Sequence, residues 1–188
     1  MCDNHFLIYN NIKRIGVVFW AITLLMNLLV DNDVMAKQVQ VCDWGVYKLY
    51  DKAYSLNKMV KSERNFDQLN HIGEMYEDSL YDNYCTSFGA YGHAALVTFY
   101  ANKAGYVSKI TIFCKYGDTV AENNAGSSVA CILLSLGLSK TEFDYIMKRL
   151  TQNGSSDVWV ERLNRRIVIE MFNKDNAIEV LRITAYDS

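Results

Sequence analysis

The period of the hydrophobic pattern changes repeatedly between Cys42 and Ser188, and each change confines what the chain can fold into. Val46, Leu49, Tyr50, Ala53 and Leu56 recur at helical spacing, so the stretch from Cys42 to about Lys61 reads as one amphipathic helix. Lys61 to Asp78 is polar and weakly patterned, and reads as a short helix or a loop. From Leu80 the residues become β-branched and aromatic. Leu80–Phe88, His93–Ala101 and Gly105–Tyr116 are separated by Gly and Asn turns, which predicts a three-stranded antiparallel meander. Asn102–Gly105 has the composition of its hairpin turn.

The helical period then returns twice. Val129, Ile132, Leu133 and Leu136 form one apolar stripe, and Gly137 suits the left-handed position that ends a helix. Ser139 and Glu142 spell a capping box, and Phe143, Ile146, Met147 and Leu150 repeat the stripe. Residues 156–188 change back to three strands, with turns near Asn164 and at Asn173–Asn176. The predicted class is therefore α+β. Two β-meanders flank an αα-corner, an N-terminal amphipathic helix packs on the sheet, and the meanders form one sheet or two.

Upstream stands a segment of another kind. Lys13 and Arg14 precede an apolar run, Ile15 to Val30, broken only by Thr23 and Asn27. Asp31, Asp33 and then Val34–Ala36 follow. A basic start, an apolar centre and small residues before a cut site make a secretory signal peptide, with cleavage expected after Ala36. The run falls short of the roughly 20 residues that span a bilayer comfortably. The division is residues 1–36 as signal and 37–188 as one domain, with an uncleaved membrane anchor as the alternative. The expected location is secreted or periplasmic. The anchored alternative also faces away from the cytoplasm.

Cysteine usage is read with export. Without Cys2, the chain keeps Cys42, Cys85, Cys114 and Cys131, an even number that permits two disulfides. Cys42–Cys85 and Cys114–Cys131 are the favoured pairings, with Cys114 and Cys131 as two buried thiols on apolar faces the alternative for the second.

Several chemistries are weighed against these residues. The helix–glycine–helix run from Leu133 to Leu150 resembles a DNA-reading element in outline. Its second helix sets Glu142 and Asp144 against Lys140, Lys148 and Arg149, too little positive charge for a phosphate backbone. The whole chain carries a net charge of −2. No nucleic-acid partner is expected. Cys85 and His93 would be the nucleophile and base of a secreted cysteine hydrolase, the alternative from the enzyme class. Two histidines downstream of the signal, without C-x-x-C or H-x-x-x-H spacing, predict no metal and no cofactor. Glu74, Glu77, Asp78 and Asp82 read as a solvated acidic face rather than paired catalytic carboxyls. Tyrosine is the unusual residue, and Tyr84, Tyr91, Tyr100 and Tyr106 could line an aromatic binding face for a protein, peptide or glycan outside the cytoplasm. The expected role is non-enzymatic, in binding or in envelope structure.

Overall fold

The computed structural model describes residues 36–59, 64–74, 81–90, 92–174 and 177–187. The expected signal segment, Cys2 and Tyr91 lie outside the described residues. The chain divides into two units, Met1–Ala36 and Lys37–Ser188, and the architecture below is that of the second. Its described residues form a mixed α+β structure, with one antiparallel sheet and three α-helices.

In chain order the elements are β1 (Gln38–Val39), α1 (Val46–Met59), β2 (Asn70–Glu74), β3 (Asp82–Phe88), β4 (Ala95–Ala101), β5 (Val107–Lys115), α2 (Thr119–Leu136), α3 (Lys140–Asn153), β6 (Ser155–Val160), β7 (Arg165–Lys174) and β8 (Ile178–Tyr186). The strands lie in the order β2-β3-β4-β5-β8-β7-β6, and β1 pairs with the end of β8. The β regions on either side of the helices are therefore one sheet. The seam is β5–β8, where Ile110 faces Ile183 and Ile112 faces Leu181.

Alternation along the strands gives the sheet two unlike faces. One buries Phe88, Val97, Phe99, Ile110, Ile112, Ile167, Ile169 and Ile183 beneath the helices. Helix α2 lies against β4 and β5, α3 against β6 and β7, and α1 packs chiefly on α2. Helix α2 is apolar on most sides because it is covered from both directions: Ala121, Ala125, Val129, Ile132, Leu133 and Leu136 are all buried. Asp118 caps its start by accepting from the amides of Val120 and Ala121. Gly137 ends it at φ 90°, and the Arg162 guanidinium fills the space where a Cβ would stand while donating to the Leu136 carbonyl at 3.2 Å. The Ser139–Glu142 capping box then opens α3.

Two elements depart from the expected order. Within Lys61–Asp78, read above as helix or loop, the chain forms strand β2, an edge strand on β3. Its pattern was faint because most of it is solvated, with Asn70, His71 and Ile72 all exposed. Buried Asn57 pins the approach to it, donating to the Arg64 carbonyl at 2.6 Å and to Asn65 Oδ1 at 2.8 Å. The first helix is also shorter than expected. Cys42 lies ahead of it in a segment tied to β5, where the Val41 amide donates to the Val107 carbonyl at 2.7 Å.

The seam makes a graded expectation. Ile183→Ala should cost about 2–5 kcal/mol, as buried aliphatic truncations do. Ile178→Ala, on the same strand but 41% exposed, should cost under about 0.5 kcal/mol. Denaturant unfolding of the two variants checks the difference.

Candidate binding face

The sheet face opposite the helices carries the groups with chemical potential. Register places Lys109, Thr111 and Phe113 of β5 on it, with Val180, Arg182, Thr184 and Tyr186 of β8 and Arg166, Glu170 and Phe172 of β7. Short side chains at the centre and long ones around them leave a hollow of about 550 Å³. Thr111, Val180 and Thr184 form its floor, and Tyr81, Lys109, Phe172, Arg182 and Tyr186 rise around it.

The cations here are held against rings. Lys109 Nζ lies 4.0 Å from the Tyr100 ring centre and 5.1 Å from that of Tyr81. The Arg182 guanidinium lies 4.8 Å over Phe172, and that of Arg166 5.6 Å over Tyr186. Such contacts contribute about 0.5–1 kcal/mol each at exposed sites and restrict the cation's directions. Two described carboxylates neighbour the arginines. Glu170 is 3.7 Å from Arg182, and Asp157 is 3.7 Å from Arg166, both beyond hydrogen-bond length. Tyr100 is buried and its hydroxyl accepts from Thr111 at 3.2 Å. The Thr184 hydroxyl is buried without any hydrogen-bond partner.

Of the four tyrosines of the expected aromatic face, Tyr91 lies outside the described residues, and the other three do not share a face. Tyr100 lies on the helix-free face beside Lys109 and Thr111. Tyr84 points to the helices, edge-on to Tyr47 at 5.5 Å, and its hydroxyl donates to Asp82 at 3.0 Å. Burial, followed by the Asp82 contact, raises its pKa. Tyr106 is exposed in the turn before β5. Adjacent odd and even positions of a strand face opposite ways, so tyrosine abundance alone could not group them. The residues missed were in β7 and β8. Their period-two runs, Arg166-Val168-Glu170-Phe172 and Val180-Arg182-Thr184-Tyr186, were the available signal.

The four described cysteines are free thiols, which corrects both expected disulfides. Each is lodged in a different place. Cys42 precedes α1, and its thiol approaches the Trp44 carbonyl. Cys85 on β3 meets Thr98 across the β4 pairing at 3.5 Å. Cys114 lies on β5 opposite Glu179, and Cys131 in α2 reaches Asn57 of α1. Burial pushes the thiol pKa to about 11 for Cys42 and about 11 for Cys131. Cys114 is pushed to about 12 by burial first, then by Glu179, Glu122 and Asp118.

Cys85 and His93 have separate partners. His93 sits in the turn before β4, and its Nδ1 meets Asp118 Oδ2 at 2.7 Å. The bonds from the Ala121 amide, then His93, hold the Asp118 carboxyl below its usual range. Asn124, fully buried, donates to the His93 carbonyl at 2.8 Å. Gly89 (φ 102°) leaves the room that Asn124 occupies. His93 thus belongs to a corner locking the β3–β4 connection onto α2. Of the expected acidic cluster, Asp82 pairs with His71 at 2.6 Å, while Glu77 and Asp78 lie outside the described residues. Among the described residues no three His, Cys, Asp or Glu side chains are grouped to hold a metal ion.

A second hollow, about 810 Å³, lies between α1 and the end of α2. Met59 on its wall is 77% exposed, and Leu134 is 41% exposed. Comparison with known protein families, with curated proteins and with solved structures finds no match in any of the three.

The thiols generate a signed expectation. An unfolded cysteine ionises near 9.0, whereas folded Cys42, Cys114 and Cys131 keep their protons to about 11 or above. Their contribution to stability is complete below pH 9 and is lost as pH rises from there toward 11. Native alkylation at pH 8 should label half-buried Cys85 first and the other three only on unfolding. Peptide mass mapping reads the order.

Proposed function

We propose that this chain is an exported binding domain without catalytic chemistry of its own, and that the helix-free face of its sheet is where the ligand sits. The observation that carries the reading is the ring-braced hollow. Its cations lie against aromatic rings, short side chains form its floor, and helices cover the other face of the sheet. Preorganised polar groups among rings suit recognition, because less side-chain freedom is lost on binding.

Export is supported by the order of basic, apolar and small residues before Lys37. The unpaired thiols add nothing to it. Absence of catalysis is favoured by the separate lodging of Cys85 and His93, since a thiolate nucleophile requires a base within hydrogen-bond reach.

Two measurements test the two parts. Intact mass of the protein from its native host, by cell fraction, should begin at Lys37 in an extracytoplasmic fraction. A full-length chain in the membrane fraction would instead make it an anchored protein, and a full-length soluble chain would end the export reading. Radical footprinting should show Phe172 and Tyr186 protected in intact cells relative to the purified protein. Equal labelling in both settings would remove the sheet face as the occupied site.

A further inference from the structure

We infer that the hollow on the helix-free face takes a carboxylate-bearing sugar unit, as found along an acidic polysaccharide. The inference rests on the reading of that face as the binding site and adds the chemistry of its ligand.

Charge is the first argument. The described side chains of this face include Lys109, Lys115, Arg166 and Arg182 against Asp157 and Glu170. The described side chains of this face are thus cation-rich although the full chain has a net charge of −2. Such a local excess of cations favours an anion. Arg182 offers a planar guanidinium, which matches a carboxylate with two parallel hydrogen bonds. Glu170, its neighbour at 3.7 Å, is too far to occupy those donors fully.

The second argument is the mixture of rings and hydroxyls. Phe113, Phe172 and Tyr186 give flat apolar surface, against which the C–H faces of a sugar ring can lie. Thr184 adds the unusual feature. It is only 4% exposed and its hydroxyl has no partner, a costly arrangement for a buried polar group. Its hydroxyl and methyl exchange places in one step between staggered wells about 120° apart. A ligand rich in hydroxyls gives the turned Thr184 a partner above the floor. The Tyr100–Thr111 pair supplies further hydroxyl groups nearby.

Position separates a sugar from an extended peptide. The hollow lies over β5, β8 and β7, strands that are paired on both sides. A peptide that adds as a strand requires the free backbone of an edge, and here the edges are β2 and β6. Only side chains are offered, which suits a compact ring. The volume, about 550 Å³, falls within the roughly 300–1,000 Å³ of small-ligand sites.

The test is calorimetric and NMR titration of the full chain with oligomers of glucuronic acid. The carboxyl-reduced, neutral oligomers and an aspartate oligomer of equal charge are the comparisons. The acidic sugar should bind and shift the amides of Thr111, Val180, Arg182 and Thr184. The neutral sugar and the aspartate oligomer should each bind at least tenfold more weakly. Arg182→Gln should weaken binding at least tenfold, and Thr184→Val severalfold without lowering Tm. Glu170→Gln should tighten it twofold to fivefold by freeing Arg182, an effect that general damage to the fold cannot produce. Equal binding of the neutral sugar would overturn carboxylate recognition. Equal binding of the aspartate oligomer would overturn the sugar. In either case, shifts confined to these residues leave the face as the binding site. If none of the three ligands binds, the sugar assignment fails, and the footprinting above decides separately whether the face is occupied by anything else.

Discussion

The antiparallel pairing of β5 with β8 is the interaction on which the rest depends. It joins residues at least 63 positions apart, Lys115 with Ile178 at the near end and Ile110 with Ile183 at the far end. Without it there are two small sheets, each with an apolar face too narrow for the helices that cover it. With it, β4, β5, β8 and β7 form one surface wide enough to seat α2 and α3 side by side. The long separation makes the seam entropically expensive to close, and a slow step in folding is expected there. The buried isoleucines along it offset that cost once it is closed.

The one-sided covering follows directly. All three helices serve one face, so the other meets solvent with whatever its alternate residues supply. In β7 and β8 these are arginines, aromatic rings and small hydroxyl residues, arranged by a period of two and not by nearness in sequence. The proposed binding site lies on this leftover face. The helical face is spent on cohesion, and its titratable groups, His93 and Asp118 among them, are used to fasten a strand connection to the start of α2.

Much of this architecture was legible in the residues. The helical stripes at Val129–Leu136 and Phe143–Leu150, the glycine between them and the Ser139–Glu142 box are local signals, and local signals survive reading one residue at a time. The strand periods of β3 to β8 were equally visible. Strand β2 was not, because an exposed edge strand has no apolar alternation to display. The cysteines misled for another reason. Parity and a presumed compartment say nothing of distance, and three of the four thiols turned out to be small apolar side chains packed in separate parts of the core. The tyrosines were gathered by abundance, while the pleat distributes them by parity. The hollow itself joins β5 to strands more than fifty residues downstream, a proximity that only the seam creates.

The register slip between His71 and Gly73 has a consequence for how copies of this protein meet. It breaks the β2 border into short lengths, since the Asn65–Asp67 segment takes over the bonding to β3 beyond it. An interrupted, twisted border is a poor template for a further strand. The opposite border is unlike it: β6 keeps an unbroken register with β7 over six residues. The sheet is therefore directional in its sociability. Of the two described borders β6 is the better template, so a neighbour that joins by backbone pairing is expected along β6, and such a union would stop at a pair and not run on into a fibre.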